Sequence, residues 1–127
     1  MPKRAVYPNP AAKPRGYSPA VRAGNLVYVS GQLALDAKDQ IVGAGDAHAQ
    51  ARQCFKNMEA VLTAAGTSLA SVVKITAFLI KIEDFPAYAG VRAEVFPQDG
   101  PASSTVVVSA LAVAGCLVEV EAVALLD

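Results

Sequence analysis

The segment from residue 71 to residue 82, which reads SVVKITAFLIKI, constrains the fold of this chain more than any other. Its β-branched and aromatic residues predict one long strand. Alternation places apolar side chains on both faces of that strand: Val73, Ile75, Ala77 and Leu79 on one, and Val72, Phe78, Ile80 and Ile82 on the other. A strand with one face in water would alternate between apolar and polar residues. The sequence therefore predicts a sheet that is covered on both faces.

Two helices are available to cover this sheet. The first is predicted over residues 46–65, with Asp46 as N-cap and Gly66 just after its end. Its apolar stripe, at helical spacing, consists of Ala47, Ala51, Cys54, Phe55, Met58, Val61, Leu62 and Ala65. The second helix is predicted to follow Asp84 as its cap and to end near Phe96.

The rest of the chain predicts strands and turns. Strands are expected at residues 17–22 and 26–30, joined as a hairpin, and at residues 104–109 and 117–125. A brief further strand is expected at Ile41-Val42. Residues 1–16 hold four of the eight prolines and are expected to be an irregular arm. The predicted order is β-β-(β)-α-β-α-β-β, an α+β arrangement in a single domain over residues 1–127.

Two helices can cover only one face of such a sheet. In the last strand the small apolar residues Val118, Val120, Ala122 and Ala124 suit the face under the helices. The chain is 54% apolar and 17% charged, whereas average globular chains are about 45–50% apolar and about 25% charged. Another copy of the chain is the simplest cover for the second face, so the sequence predicts a homo-oligomer.

Charge and composition exclude several classes of protein. Lys plus Arg and Asp plus Glu number 11 each, so the dense positive face that binds nucleic acid is not expected. No apolar run approaches the roughly 18 residues that cross a bilayer, and a soluble, cytoplasmic protein without membrane contact is expected. Cys54 and Cys116 do not make a disulfide framework. The sole histidine, His48, is expected to be solvated and has no nearby Cys pair, so no metal site is predicted.

Several segments, taken in order, resemble the Rid (YjgF/YER057c/UK114) family from about residue 17 to the C-terminus. They are YSPAVRAGNLVYVSGQ, QARQCFKNMEAVLTAAG, VVKITAFL followed by EDF, PASSTVVV and VEVEAVAL. The resemblance implies a chorismate-mutase-like α+β fold, a mixed sheet with two helices on one face. It further implies a homotrimer with clefts between adjacent subunits and no metal or organic cofactor. Relatives with known chemistry hydrolyse reactive enamines or imines, such as 2-aminoacrylate, to 2-oxo acids and ammonia.

The resemblance also assigns site residues. Glu119 matches the acidic residue proposed to hold the water, and Tyr17 matches the family's cleft tyrosine. Both are expected to be catalytic. Gly31 and Gln32 match the cleft-lining Ser-Gly-Gln segment, and Thr105 stands where many relatives have Cys. These three residues are expected to contact the substrate.

The chain departs from the family at two positions. Ser103 stands where deaminase-competent relatives have an Arg, and Ala89 stands where they have an Asn. Loss of a buried charged anchor for a carboxylate costs about 2–5 kcal/mol. An altered substrate range is therefore expected, with Ser103 as a weaker polar contact. Arg92, in the second helix near the family's cleft wall, is a candidate replacement cation.

Each candidate also has a structural interpretation. Glu119 can be an interface charge paired with Lys or Arg, and Tyr17 can be a packing aromatic. Ser103 can be a loop hydrogen-bonder and Arg92 a surface residue. Glu121 is expected to be a structural or rim charge.

The leading hypothesis is a Rid-like trimer that binds small imine, enamine or carbonyl metabolites and hydrolyses them. The alternative is a binding module without catalysis, such as a metabolite sensor or partner-binding trimer. A ribonuclease or translation inhibitor is less well supported, because no His pair is available for RNA cleavage.

Overall fold

The computed structural model describes residues 2–126 and contains one six-stranded mixed sheet and two α-helices. The elements are β1 (Arg4–Val6), β2 (Ala20–Ala23), β3 (Leu26–Leu33), α1 (Ala47–Ala65), β4 (Val72–Leu79), α2 (Phe85–Val95), β5 (Ala102–Val107) and β6 (Val118–Leu125). The strand order is β1-β2-β3-β6-β4-β5. Neighbouring strands are antiparallel except β4 and β5, which are parallel and joined through α2. The α+β prediction is confirmed.

The first helix begins and ends where its capping residues predict. The Asp46 side chain accepts a hydrogen bond from the Ala49 N–H at 3.1 Å. Gly66 ends the helix in the left-handed conformation at φ 89°, and its N–H reaches the Leu62 carbonyl. All eight residues of the predicted stripe are buried. The predicted helix and its buried face are therefore confirmed.

Both helices pack on the same face of the sheet. Phe55 of α1 stacks on Tyr88 of α2 with ring centroids 6.1 Å apart, and both side chains are buried. Beneath them lie the alternate residues of the central strands, including Val118, Val120, Ala122 and Ala124 of β6, all buried as predicted. No helix among residues 2–126 combines the length and apolar character needed to cross a membrane.

The predicted faces of β4 are wrong at its first two residues. Val72 is buried with Ile75, whereas Val73 is 41% exposed. The reason is a register shift in the pairing of β4 with β6 between Val72 and Lys74. A bulge adds one residue to one strand and so reverses the alternation on one side of it.

Other predicted elements differ at their ends. Residues 1–16 are not wholly irregular, because Arg4–Val6 pairs with β2 as an edge strand. Ile41 forms only an isolated bridge with Leu35, so the brief third strand is wrong. The long strand ends at Leu79, and Ile82–Asp84 is a short 3-10 helix. Asp84 occupies the N-cap of α2 but makes no side-chain capping hydrogen bond.

The side of the sheet away from the helices is uncovered in a single chain. We call it the open face; it includes Tyr28, Thr76, Phe78, Glu119, Glu121 and Val123. Tyr28 is 48% exposed, and a shallow hollow of about 250 Å³ lies between it and Lys74. Cover of this face by a second copy stays a prediction.

Gln50 is a buried polar residue that the apolar stripe did not reveal. Its amide donates to the carbonyls of Gly43 at 3.2 Å and Gly115 at 3.1 Å, and its oxygen accepts from Leu117 N–H at 2.7 Å. Gln50 thereby links α1 to the loop that contains Gly43 and to the loop that contains Gly115. Three backbone groups depend on this one side chain.

Replacement of Gln50 by Leu is expected to lower the free energy of unfolding by about 3 kcal/mol, because buried backbone groups lose their partners. Urea unfolding at one fixed protein concentration measures the change. Gln53→Leu in the same helix is the matched control. It removes one half-buried side-chain bond, to Asn57, and should cost about 1 kcal/mol. Equal losses in the two variants would contradict the assigned role of Gln50.

Candidate functional site

The Glu119 carboxylate lies on the open face, against the backbone of Gly31. In β6, Glu119 pairs with Leu33 of β3 on one side and Phe78 of β4 on the other. The ladder between β3 and β6 shifts register between Val29 and Gln32, so Gly31 lies in a bulge. A Cβ at Gly31 would stand 2.7 Å from the Glu119 Cδ. Only glycine therefore lets the carboxylate reach this position.

The environment of Glu119 disfavours its charged form. Burial raises the pKa of the Glu119 carboxyl above its ordinary value of 4.5, and the neighbouring charge of Glu121 raises it further. No Lys or Arg among residues 2–126 forms an ion pair with Glu119. This argues against a paired structural charge within one chain. A half-buried carboxylate with a raised pKa is a stronger base than an ordinary carboxylate and suits proton transfer.

A hollow of about 400 Å³ opens beside Gly31. Tyr17, Gly31 and Gln32 line it, together with Asn57 of α1. The Tyr17 ring is 62% exposed, so it is available to a ligand or to another chain. The Gln32 amide donates to the Ser30 carbonyl at 2.9 Å, which fixes its side chain at the rim. Tyr17, Gly31 and Gln32 therefore share one hollow, whereas Glu119 lies outside its lining and contacts Gly31.

Ser103 and Thr105 lie in a different region, on edge strand β5. They pair with Ile75 and Ala77 of β4, whose side chains are buried under the helices. Neighbouring residues in register share a face of a sheet. Ser103 and Thr105 therefore face the helix side, whereas Glu119 lies on the open face.

Arg92 of α2 reaches this second region. Its Nη1 donates to the Ser103 Oγ at 3.1 Å. Its Cζ lies 5.4 Å from the ring centroid of Tyr88 and 5.8 Å from that of Phe85. These are cation–π distances. The guanidinium thus occupies the space next to Ser103.

Tyr88 of α2 also belongs to this region, and no motif in the sequence identified it as a site residue. Its side chain is fully buried, and Arg92 and Ser103 are hydrogen-bonding neighbours of its hydroxyl. Burial raises the pKa of the Tyr88 phenol, and the nearby Arg92 and Ser103 partly oppose that rise. The spacing of Tyr88 and Arg92, one helical turn apart, is the signal that could have predicted their contact.

One chain does not bring the two regions together. Strands β6 and β4 lie between β3 and β5, so Gly31 and Ser103 are three strand spacings apart, about 14 Å. Glu119 is two spacings from β5, about 10 Å, and on the opposite face. A metabolite of a few atoms cannot contact both Glu119 and Ser103 of the same chain.

Other reactive residues supply no further site. Residues 2–126 contain no cluster of three His, Cys, Asp or Glu side chains that could hold a metal ion. His48 is exposed in the first turn of α1, as predicted. Burial raises the pKa of the Cys54 thiol, and the thiol donates to the Val118 carbonyl at 3.5 Å. Cys54 is therefore a packed, unreactive residue.

Comparison with known proteins places the chain among related sequences over nearly its whole length. The family model described as Endoribonuclease L-PSP matches residues 8–126. A 2-iminobutanoate/2-iminopropanoate deaminase from Dermatophagoides farinae is 38% identical, covering 99% of this chain and 98% of that protein. The 3-aminoacrylate deaminase RutC from Acinetobacter baylyi is 40% identical, covering 98% of each.

A solved structure shares the whole fold. The crystal structure of YyfA from Yersinia pestis, described as a protein of the conserved Rid family, superposes with a TM-score of 0.88. The two sequences are 34% identical over 98% of this chain and 100% of the other. The six-stranded sheet with its two helices is therefore shared with that structure.

Proposed function

This chain belongs to the Endoribonuclease L-PSP family, in which relatives carry the names Rid and RutC, and we propose that it hydrolyses small imines or enamines. The substrates are small imine, enamine or carbonyl metabolites bound in clefts between copies of the chain. The active form is a cytoplasmic homotrimer. Two similar proteins named as deaminases of imino or aminoacrylate compounds support this chemistry.

The observation that carries the proposal is the Glu119 carboxyl. It is half-buried, has a raised pKa and lies against Gly31, a residue that lines the hollow together with Tyr17 and Gln32. A general base works best when its pKa is close to the working pH. A carboxyl that is only an exposed rim charge would not need the close approach that Gly31 allows.

The reaction follows from these groups. Ionised Glu119 takes a proton from water as the water oxygen bonds to the imine carbon, and the C=N electron pair moves to nitrogen. Glu119 returns that proton to nitrogen, which gives a carbinolamine. It then takes the hydroxyl proton as the C=O bond forms and delivers it to nitrogen as the C–N bond breaks, releasing ammonia and a carbonyl compound. An enamine first takes a proton at carbon to become the imine. The Tyr17 hydroxyl orients the substrate nitrogen by hydrogen bonding.

A second copy is proposed to complete the cleft. In one chain, Glu119 lies two strand spacings, about 10 Å, from the strand that carries Ser103, and on the opposite face. No element of residues 2–126 covers the open face that carries Glu119. A neighbouring subunit that packs on this face would bring its own Ser103, Thr105 and Arg92 to the first chain's Glu119. In a closed ring of subunits, the open face of each chain would contact a different surface of its neighbour. Each interface would then contain Glu119 from one chain and Ser103, Thr105 and Arg92 from the next.

The substrate range is proposed to differ from that of relatives with an Arg in place of Ser103. In this chain the charged end of the ligand meets Ser103 and Arg92 instead. A hydroxyl holds a carboxylate less strongly than a guanidinium does, and Arg92 approaches from a helix and not from the strand.

Generation of 2-aminoacrylate in situ tests the proposed function. The wild-type protein is expected to accelerate keto-acid release above the spontaneous rate. Ser103→Arg is expected to raise that rate about tenfold, because it adds a charged anchor worth more than 1.4 kcal/mol. Ser109→Arg, an exposed Ser beyond β5, should leave the rate unchanged. No acceleration by the wild-type protein, with activity only in Ser103→Arg, would overturn the native deaminase assignment.

A binding module is the second candidate, and the Ser at position 103 favours it. This function retains the cleft and loses turnover. Ligand binding by wild-type protein with no keto-acid release would establish it. RNA cleavage, which the family description raises, has weaker support: the single exposed His48 provides no acid–base pair.

A further inference from the structure

We infer that Asn57 of α1 is a positioning residue for the proposed hydrolysis, because it holds the segment of β3 that contains Gly31 against Glu119. This inference rests on the proposed function and deepens it, since it adds a residue that acts through another one. Asn57 lines the same hollow as Gly31, and no motif in the sequence identified it.

Strand β3 has a neighbouring strand on both sides along only part of its length. Its pairing with β2 covers residues 26–29, and the Ser30 N–H donates to the Pro19 carbonyl at 2.9 Å. Beyond Ser30, the only strand that pairs with β3 within residues 2–126 is β6. Gly31 and Gln32 therefore lie in a segment with a strand partner on one side alone.

The Asn57 amide takes the place of the missing strand. Its Nδ2 donates to the Leu33 carbonyl at 2.9 Å and to the Leu35 carbonyl at 2.8 Å. Its Oδ1 accepts from the Gln53 Nε2 at 2.8 Å, which fixes the orientation of the amide. Both N–H donors of Asn57 are thus bonded to backbone carbonyls, so this side chain supports the strand end and has no donor left for a ligand.

These bonds act on the part of β3 that Glu119 contacts. Leu33 pairs with Glu119 in the ladder, two residues beyond Gly31. The bulge that contains Gly31 is therefore fixed on one side by the Ser30 backbone bond and on the other by the Asn57 bond to Leu33. Because the Glu119 carboxylate packs against the backbone at Gly31, movement of that backbone changes how far water reaches the carboxylate.

Replacement of Asn57 by Leu removes both amide bonds and keeps a side chain of similar size. Release of the strand end should let water reach Glu119, so the pKa of the Glu119 carboxyl is expected to fall towards its ordinary value of 4.5. Titration of protein with isotope-labelled glutamate side chains, followed by carbon NMR, measures this pKa. The Glu119 signal is the one that is absent from Glu119→Gln. This measurement needs no turnover.

The pKa reports the position of the Gly31 backbone. The other titratable groups that affect or are affected by Glu119 are Glu121, Cys54 and Cys116. None of the three is a hydrogen-bond partner of Asn57 within residues 2–126. A changed pKa in Asn57→Leu therefore cannot come from a lost direct contact.

The rate gives a second readout. At a fixed supply of 2-aminoacrylate, keto-acid release by Asn57→Leu should be about tenfold slower than by the wild type, since a misplaced base loses its alignment with the water. Its rise with pH should begin at lower pH, in step with the lower pKa of Glu119.

Thr67→Val is the matched control. The Thr67 Oγ1 donates to the Leu125 carbonyl at 2.6 Å, which is the same kind of bond between a side chain and a strand end. Leu125 lies at the other end of β6 from Glu119, so the pKa of Glu119 and the rate should be unchanged. Asn57→Ser has one donor in place of two and should lie between the wild type and Asn57→Leu. Thermal unfolding and light scattering check folding and assembly.

The inference and the proposed function fail differently. A Glu119 pKa in Asn57→Leu equal to that of the wild type, or an equal shift in Thr67→Val, overturns the positioning role even if imines are hydrolysed. In an active protein, an unchanged rate in Asn57→Leu would do the same. A fall in pKa confined to the Asn57 variants, in a protein that releases no keto acid, supports the positioning of Glu119 and overturns the deaminase proposal. If Asn57→Leu does not fold, Asn57→Ser decides the question.

Discussion

Replacement of Glu119 by Gln is expected to lower the rate of imine hydrolysis at least about 100-fold, the usual contribution of a positioned general base. Gln has nearly the same shape as Glu but cannot take a proton from water. The measurement is keto-acid release under single-turnover conditions with 2-aminoacrylate generated in situ. Glu59→Gln, on the exposed side of α1, is the matched control and should retain the full rate.

The pH dependence gives a second readout of the same residue. The base form of Glu119 is the reactive one. The rate should therefore be low at pH values below the raised pKa of this carboxyl and increase as the pH rises through that pKa. The residual rate of Glu119→Gln should lack this step. A Gln variant with the wild-type rate and the wild-type pH profile would remove Glu119 from the mechanism.

The same substitution should not weaken the fold. Since the folded-state pKa of Glu119 is raised above 4.5, the native protein binds this proton more tightly than the unfolded chain does. Its contribution to stability therefore falls as pH rises from the unfolded pKa through the folded pKa. At neutral pH, Glu119→Gln removes a desolvated charge and its repulsion from Glu121. We expect equal or greater stability, which separates lost chemistry from lost structure.

Replacement of Val123 by Lys is expected to dissociate the oligomer into single subunits and to reduce the activity. Val123 lies on the open face, in register with Tyr28 on one side and Lys74 on the other. A Lys there places a second ammonium beside Lys74, and burial of that charge in an interface costs several kcal/mol. Light scattering at micromolar concentration should report the mass of one chain, and turnover should drop at least about tenfold.

Ala64→Lys is the control for this variant, because Ala64 is exposed on α1, on the helix side of the sheet. It should leave assembly and rate unchanged. A wild-type protein that is already a single chain in solution would contradict the proposed cover of the open face. It would also contradict the proposed cleft shared between subunits.

Mixed assemblies test directly whether two chains share one site. Glu119→Gln and Arg92→Leu each damage a different half of the proposed cleft. If the halves come from neighbouring subunits, random exchange of equal amounts leaves about a quarter of clefts with both halves intact. Activity should then exceed that of either variant alone. A mixture no more active than its components would place both halves in one chain or remove one of them from the site.

Much of the secondary structure could be predicted because its causes are local. The Asp46 cap, the apolar stripe and Gly66 determine α1 within one stretch of chain. Alternation in β6 predicted its buried face correctly. The prediction of β4 was wrong at Val72 and Val73, since a bulge depends on how one strand pairs with another. The pairing of Arg4–Val6 with β2 also depends on a partner distant in sequence.

The identity of the candidate site residues could also be predicted from the sequence, but the contacts between them could not. Glu119, Tyr17, Gly31 and Gln32 could be named from motifs, but the approach of the Glu119 carboxylate to Gly31 depends on the bulge in β3. Arg92 could be named as a candidate cation. Its contact with Ser103 and the position of Tyr88 beside it became visible only in the packed structure.

The sequence by itself determined the helices, the alternating strands and the excess of apolar surface, because these follow from side-chain spacing within a single segment. Only the tertiary structure decided which residues meet across the sheet. It places Glu119 and Ser103 on opposite faces, two strands apart across the sheet and three residues apart along it. Strand order and register arise from contacts between segments far apart in the chain.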